Sequence, residues 1–589
     1  MANKKIVVDP LTRIEGHLRI EAVVENGVIK DAWSACTMWR GIEEIMKGRD
    51  PRELWYWTQR FCGVCTTVHS IASVRAVEDA LDITVPLNAE LLRNIMIGIQ
   101  VVQDHVIHFY HLHALDWVDI VSALSADPVK TAALADAVAK KYAVGVLGNR
   151  PYAKGSASYF ETIQKRVAAF AGTGRLGPFA NAYWGHKAYK LPAEANLMAV
   201  AHYLEALYWQ REVIKIHAML GSKNPHPQSF LVGGISMPVD PNSQNAVNAD
   251  MIAYIRKLLV DAKNFVEQVY IPDLLAVAPF YKDWGAIGGG GGQFDFISFG
   301  DYPTRAAAKH NDKALWLKPG RVTVGTFPTV HPVKAEDITE YITHSWYSYA
   351  GGDAKGLNPF VGETKENYTG PSPGDGKYEY LDTDNKYSWV KSPRYQDRPA
   401  EVGPLARCLV AYAQGDKDFK AVIDLVLSDL GVPAAALFST LGRTAARGIE
   451  TLICAKKNLE WLDMLAANIK TGDLKTHAGE KWDPASWPKE ARGVGFHEAP
   501  RGTLSHWVNI KDTKIANFQA VVPSTWNAGP RDAKGQRGPY EAALVGTPIA
   551  DPEKPIEILR TIHSYDPCLA CAVHVLDEDG KELTQVKVL

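Results

Sequence analysis

Short apolar runs alternate with polar residues over 5–35 and break at Glu25-Asn26-Gly27. An Asn-Gly pair between alternating runs is a hairpin signal, so this stretch predicts a small β-sheet. From Leu91 to about Leu124 the apolar positions recur at helical spacing, and Gly98 is the only glycine or proline among them. Similar spacing predicts long helices over 194–221, 248–270, 404–430 and 434–470, enough for a central bundle. Gly288 to Gly292 reads as a tight loop packed against another backbone rather than an anion cradle. Residues 351–400, rich in Gly, Asp, Tyr and Pro, read as a surface excursion, and 471–494 as a connecting loop. The tail from Val573 to Leu589 reads as a hairpin around Asp579-Gly580. The predicted fold class is α+β, predominantly helical, with a central long-helix bundle and small sheets toward the N- and C-terminal ends.

Composition adds bounds rather than identity. A length of 589 residues has room for roughly three to five domains. The formal net charge is −2 with no basic block, so nucleic acid is not an expected partner. Sixteen Trp and 24 Tyr supply cores, and some of them an interface. The start Met-Ala-Asn-Lys-Lys has no apolar stretch of signal-peptide type, and no run of 18 or more apolar residues occurs. Read alone, these features predict a soluble, cytoplasmic chain.

The chemistry lies in the cysteines. Arg60-Phe61-Cys62-Gly63-Val64-Cys65 stands near one end, and Asp566-Pro567-Cys568-Leu569-Ala570-Cys571, followed by His574, near the other. Two CxxC pairs are a metal-ligand pattern, since a two-residue gap lets both sulfurs of a pair face one ion. A structural four-cysteine zinc is one reading, although such staples usually have halves about 15–20 residues apart. A soft, redox-capable metal is the other. A disulfide framework fits less well. His105, His108 and His111 recur on one predicted helix, as a metal stripe or as satisfied core histidines. His69, four residues after Cys65, is placed to hydrogen-bond a sulfur.

Further blocks accompany the two pairs: Arg13-Ile14-Glu15-Gly16-His17, Arg40-Gly41-Ile42-Glu43, Glu498-Ala499-Pro500-Arg501-Gly502 and Val521-Val522-Pro523-Ser524-Thr525-Trp526-Asn527. With them the chain resembles the large, catalytic subunit of nickel–iron hydrogenases over essentially its whole length. Within that family it is most similar to the respiratory, membrane-associated uptake type, often called the hydrogenase-2 type. Related complex I subunits share the fold but lack the cysteines.

The resemblance implies reversible heterolytic H2 oxidation, with electrons passed to an iron–sulfur small subunit in an obligate heterodimer. It implies that Cys62, Cys65, Cys568 and Cys571 bind nickel, that Cys65 and Cys571 also bridge to iron, and that iron carries one carbon monoxide and two cyanides. Arg501, Ser524 and amides near Pro500 would donate to the cyanides. Asp104 and Asp566 would complete the canopy. Cys568 would take the first proton and Glu15 pass it on, with Arg501 as a rival base. Glu43, the Ala520 carbonyl and His574 would hold magnesium. The implied organisation is a large subunit over 1–574, with a β-rich segment 1–60, a helical core 61–470 and a metal-site segment 495–574. By the same resemblance residues 575–589 would be a propeptide, cut between His574 and Val575 by a maturation endopeptidase after insertion chaperones have delivered the metals. The implied location is the periplasm or the periplasmic face of the membrane, by co-export with the small subunit, with membrane electron-acceptor subunits beyond it.

Overall fold

The Asn26-Gly27 signal folds as expected. Lys4–Val8 (β1), Leu18–Glu25 (β2) and Val28–Cys36 (β3) form an antiparallel meander. Asn26 and Gly27 both take positive φ, 53° and 77°, as a two-residue primed turn requires. The molecule is seen in a computed structural model that describes residues 4–142, 155–174, 179, 182–370 and 380–572. The inner face of the meander buries Ile6, Leu18, Ile20, Ala22 and Ile29 against Tyr540, Leu544, Ile558, Ile562 and Leu569. The first strands are therefore stabilised by the last helices, at about 1.5–3 kcal/mol for each large apolar side chain removed from water.

The bundle follows the predicted spacing, with breaks where the backbone changes pitch. Val68–Ala80 (α1) starts just after the first cysteine pair, and Leu87–Ile107 (α2) is buried on almost every side. The predicted helix to Leu124 ends early: His108–His113 widen into a π-turn, Ala114–Asp116 tighten into a 3₁₀ turn, and the chain then leaves the axis. A π-turn inserts one extra residue and re-aims the side chains beyond it. Ala193–Val213 (α3) and Ala249–Phe265 (α4) match the expected spans, the latter running on through a second π-turn at Val266–Tyr270. The predicted element 404–430 is two helices, Pro404–Ala413 (α5) and Lys417–Leu430 (α6). Gly415 breaks it at φ 76°, and Asp416 caps the restart by accepting from the amides of Asp418 and Phe419. Thr440–Lys470 (α7) begins under a Ser439 cap.

Three expectations need correction. The middle of the chain is not purely helical, because short strands between Phe230 and Glu401 pair into several small sheets. The excursion 351–400 does not stay at the surface: Tyr387, Ser388, Val390, Lys391 and Arg394 are buried, and Ser392–Tyr395 pairs with Ile338–Tyr341. The loop 471–494 stops at Glu490, where the C-terminal sheet begins. The glycine run packs against backbone only in part: a Cβ on Gly289 would lie 2.3 Å from the Phe438 carbonyl oxygen, whereas Gly291 and Gly292 have open space beside them. The tail hairpin from Val573 lies outside the described residues.

That C-terminal sheet is Glu490–Ala499 (β4), Gly502–Lys511 (β5) and Lys514–Val521 (β6), all antiparallel. Strand β4 lies flat on α1 because Gly493 and Gly495 offer no side chain. A Cβ on Gly495 would fall 2.0 Å from the Ala72 carbonyl oxygen and 2.4 Å from the Ala76 nitrogen. Neither backbone has room to yield, so Gly495→Ala is expected to destabilise the chain by at least about 1–3 kcal/mol, read as a lowered denaturation midpoint.

Candidate metal centre

The first pair follows a 3₁₀ turn, Gln59–Phe61, and Cys62 takes extended backbone before Cys65 leads into α1. The Val64 amide donates to Cys62 Sγ at 3.2 Å. The second pair follows Asp566, held in the left-handed region at φ 58°. Its Cys568 Sγ lies 3.5 Å from Cys62 Sγ, and the sulfurs of Cys62, Cys65 and Cys568 all fall within 4.8 Å of one another, buried. A disulfide needs about 2.05 Å, whereas sulfurs that share one ion stand roughly this far apart. Cys571 sits in the short helix Leu569–Ala572. Its side chain lies outside the described residues, as do His574 and Val575.

Two contacts bring the ends of the chain together here. Glu15 straps the second pair: its amide donates to the Pro567 carbonyl at 3.3 Å, and its carbonyl accepts from Leu569 at 2.7 Å. Its Oε2 accepts from the Ala570 amide at 2.9 Å and lies 3.2 Å from Cys568 Sγ. Gly16 allows this approach, since a Cβ there would sit 2.4 Å from the Ala570 nitrogen. Arg40 reaches both motifs, donating to the carbonyls of Arg60 at 3.1 Å, Phe61 at 2.5 Å and Ala570 at 2.8 Å. Burial, then the charge on Cys62, pushes Glu15 up to about 7.

Above the sulfurs, Pro500 and Arg501 form the two-residue turn between β4 and β5. The Arg501 guanidinium pairs with Asp566 at 3.0 Å and Asp104 at 3.4 Å. Burial works against its charge, but Asp566, Cys568 and Asp104 outweigh that and hold it protonated. Asp104 is pushed up to about 8 by burial, against the pull of Arg501. Asp566 is also raised by burial. The Ser524 hydroxyl accepts the Cys568 amide at 3.0 Å. Soft thiolates, a buried cation and the Arg501 Nε, which meets no acceptor among the described residues, suit a soft metal with anionic ligands.

Other predicted residues behave differently. His69 does not reach a sulfur. It stacks on Phe61, its Nδ1 lies 3.0 Å from His506 Nε2, and its Nε2 has no hydrogen-bond partner among the described residues. Burial drops it to about 3, so the ring is neutral. Glu43 meets Ala520 through the Ala520 amide, at 2.9 Å. Its other oxygen faces Lys391 at 3.2 Å and the Thr364 hydroxyl. Beside Lys391 stands Glu340, which burial pushes up to about 7 and whose oxygens meet no hydrogen-bond donor among the described residues. The Lys391 ammonium thus serves both carboxylates, 3.2 Å from Glu43 and 3.8 Å from Glu340. His105, His108 and His111 hold three separate partners, Glu450, the His563 carbonyl and the Tyr203 carbonyl, and do not share an ion.

Sequence reading missed Arg40 as a strap, Lys391, His506, and a buried group of His113, Asp116 and His563. Asp116 accepts from His563 Nδ1 at 2.6 Å and pairs with Arg13. No local spacing announces any of these, although Arg13 and Arg40 stand inside the quoted blocks.

A family profile described as nickel-dependent hydrogenase matches residues 40–574. The chain is 52% identical over 597 residues to the uptake hydrogenase large subunit of Bradyrhizobium diazoefficiens, covering 100% of this chain and 98% of that one. It is 46% identical to the hydrogenase-1 large chain of Escherichia coli, with the same coverage. Among solved structures, the [NiFeSe] hydrogenase of Desulfomicrobium baculatum superposes with a TM-score of 0.73 at 33% identity, over 97% of this chain and 100% of that one. The Desulfovibrio vulgaris Hildenborough [NiFeSe] hydrogenase gives 0.74 at 32%, with the same coverage. The finer likeness to the hydrogenase-2 type is not carried by these names.

Removing one partner of a buried ion pair strands the other charge. Asp566→Asn keeps tolerance of the left-handed backbone but removes the charge nearest Arg501. It is expected to destabilise the chain by about 3 kcal/mol, measured by chemical denaturation.

Proposed function

Because the chain belongs to the nickel-dependent hydrogenase family, we propose that its thiolate pocket holds a nickel–iron pair at which dihydrogen is split, H2 ⇌ 2H+ + 2e−. The chain is a hydrogenase large subunit, an oxidoreductase of the uptake class. Cys62, Cys65, Cys568 and Cys571 would hold nickel, with Cys65 and Cys571 shared with iron. Carbon monoxide and two cyanides would complete the iron. When bound, the metal pair supplies a soft, electron-rich centre that polarises dihydrogen and takes up its two electrons.

The chain's own residues then handle protons and charge. Cys568 Sγ accepts the first proton, and Glu15 Oε2, 3.2 Å away, carries it onward; this contact is the observation that carries the reading. A carboxyl raised to about 7 exchanges protons readily near neutrality. Arg501, pinned between Asp104 and Asp566, has no lone pair to offer as a base. Its role is to donate hydrogen bonds to the anionic ligands, with Ser524 and the amide following Pro500. Burial of the whole constellation excludes water and strengthens each of these interactions. Glu43, the Ala520 carbonyl and His574 are assigned to a magnesium ion beside the site, with Lys391 and Glu340 around it.

Electrons need a partner. Cys36, Cys408 and Cys454 are buried apart, each against a different carbonyl, those of Met38, Ala446 and Gly98. We assign the exit to the exposed strip over the first pair, where Gly63 and Val64 face solvent and Arg60 lies 4.7 Å over the Tyr56 ring. An iron–sulfur small subunit docks there. No described helix is long and apolar enough to cross a membrane, so a place on the periplasmic face would come by export with that partner and its membrane acceptor. A maturation endopeptidase cutting between His574 and Val575, after chaperones have inserted the metals, completes the chain.

Nickel near one per chain, with iron in excess, is the expected content of enzyme purified with its partner. Zinc near one without nickel would overturn the assignment. In the same preparation Glu15→Gln should retain nickel yet lose H2/D+ exchange by about a hundredfold. Normal exchange would remove Glu15 from the relay.

A further inference from the structure

Arg407 stands in the first turn of α5, only 2% exposed. It spends all five of its N–H donors on the ground behind the canopy. Nε and Nη2 grip the two oxygens of Glu450 at 2.5 and 2.7 Å. Nη1 donates to Glu498 Oε2 at 3.1 Å and to the Ala499 carbonyl at 2.9 Å. Nη2 also donates to the Pro500 carbonyl at 3.1 Å. A guanidinium with five partners has none left to offer a ligand.

We infer that Arg407 is a positioning residue, which aims the Arg501 backbone amide at an anionic ligand of the metal pair. The inference rests on the reading that such ligands lie beneath the canopy. Pro500–Arg501 is not among the cis bonds of the described chain. In a trans peptide the carbonyl of one residue and the N–H of the next point in opposite directions. Holding the Pro500 carbonyl against Arg407 therefore turns the Arg501 N–H away from that guanidinium. Pro500 has no N–H of its own, so this amide is the first donor the turn presents after Ala499.

The clamp is registered to the rest of the site by its carboxylates. Glu498 Oε1 accepts from the Phe299 amide at 2.8 Å and the Thr503 hydroxyl at 2.6 Å, fixing both strands of the hairpin. Glu450 Oε2 lies 2.9 Å from His105 Nε2, and His105 follows Asp104 on α2. The amide donor and the canopy carboxylate thus hang from one buried network. A polar cavity of about 100 Å³, lined by Ser298, Lys318, Arg407, Gln414 and Asp416, opens from the surface onto Arg407, with room for several small polar molecules.

The test uses the nickel-loaded enzyme with its partner subunit. Arg407→Lys keeps a charge between the glutamates but loses the fork. It is expected to retain nickel and iron, to shift the infrared stretches of the cyanide ligands, and to lower kcat about tenfold or more with little change in KM. In Arg407→Ala, millimolar guanidinium, admitted through the cavity, should restore both the bands and the rate. Loaded Arg407→Lys with wild-type cyanide bands would overturn the inference, and so would a folded Arg407→Ala that guanidinium leaves unchanged. If neither variant folds, a crystal structure of the loaded wild type decides: the Arg501 amide within about 3.2 Å of a ligand nitrogen supports the clamp, and an amide aimed elsewhere ends it. Absence of cyanide bands from the wild type would instead overturn the metal reading itself, a separate result.

Discussion

Everything at the pocket depends on one covering contact, the backbone of Glu15 and Gly16 laid across Pro567–Ala570. It resembles one rung of parallel sheet between the start of the chain and its end. The contact is close because residue 16 has no side chain, and it places the Glu15 carboxylate against a cysteine sulfur in the same stroke. Arg40 repeats the arrangement on the other side, with one guanidinium on carbonyls of both cysteine motifs. The placing of the sulfurs, of the Glu15 carboxyl and of the closing backbone is therefore a property of a single joint.

Around that joint the molecule buries several ionisable side chains in opposed sets. Arg501 stands with Asp104 and Asp566, Arg407 with Glu450 and Glu498, Lys391 with Glu43 and Glu340. Each set would be costly with one member missing and gives modest net stability when complete. What such sets do well is fix direction. A planar guanidinium with two carboxylates has few alternative arrangements, so the loops that carry it inherit a defined orientation.

The cysteine motifs and their flanking blocks were legible because they are local: Cys62, Cys65, Cys568, Glu15 and Arg501 can be named from spacing and context, and the structure brings them together. The first meander was legible for the same reason, its turn being written in two adjacent residues. The errors share a different cause. The helix expected to reach Leu124 fails at a π-turn that no periodicity marks, and the 404–430 segment divides at one glycine. His69 was placed on a sulfur by its spacing from Cys65, but a ring from β5 claims it instead. Lys391 and Arg407 lie in stretches without motif. Their partners are distant in sequence, so only the packed fold reveals them.

The meander at the start of the chain has a consequence for synthesis. Its apolar face is covered by residues 540–569, which are made long after β3 has left the ribosome. Until then β1–β3 must wait with that face uncovered, a state open to wrong pairings. The second cysteine pair belongs to that same late segment, so the pocket cannot close until the segment has been made. Order of synthesis alone supplies a window in which the three buried sulfurs stand open before folding seals them.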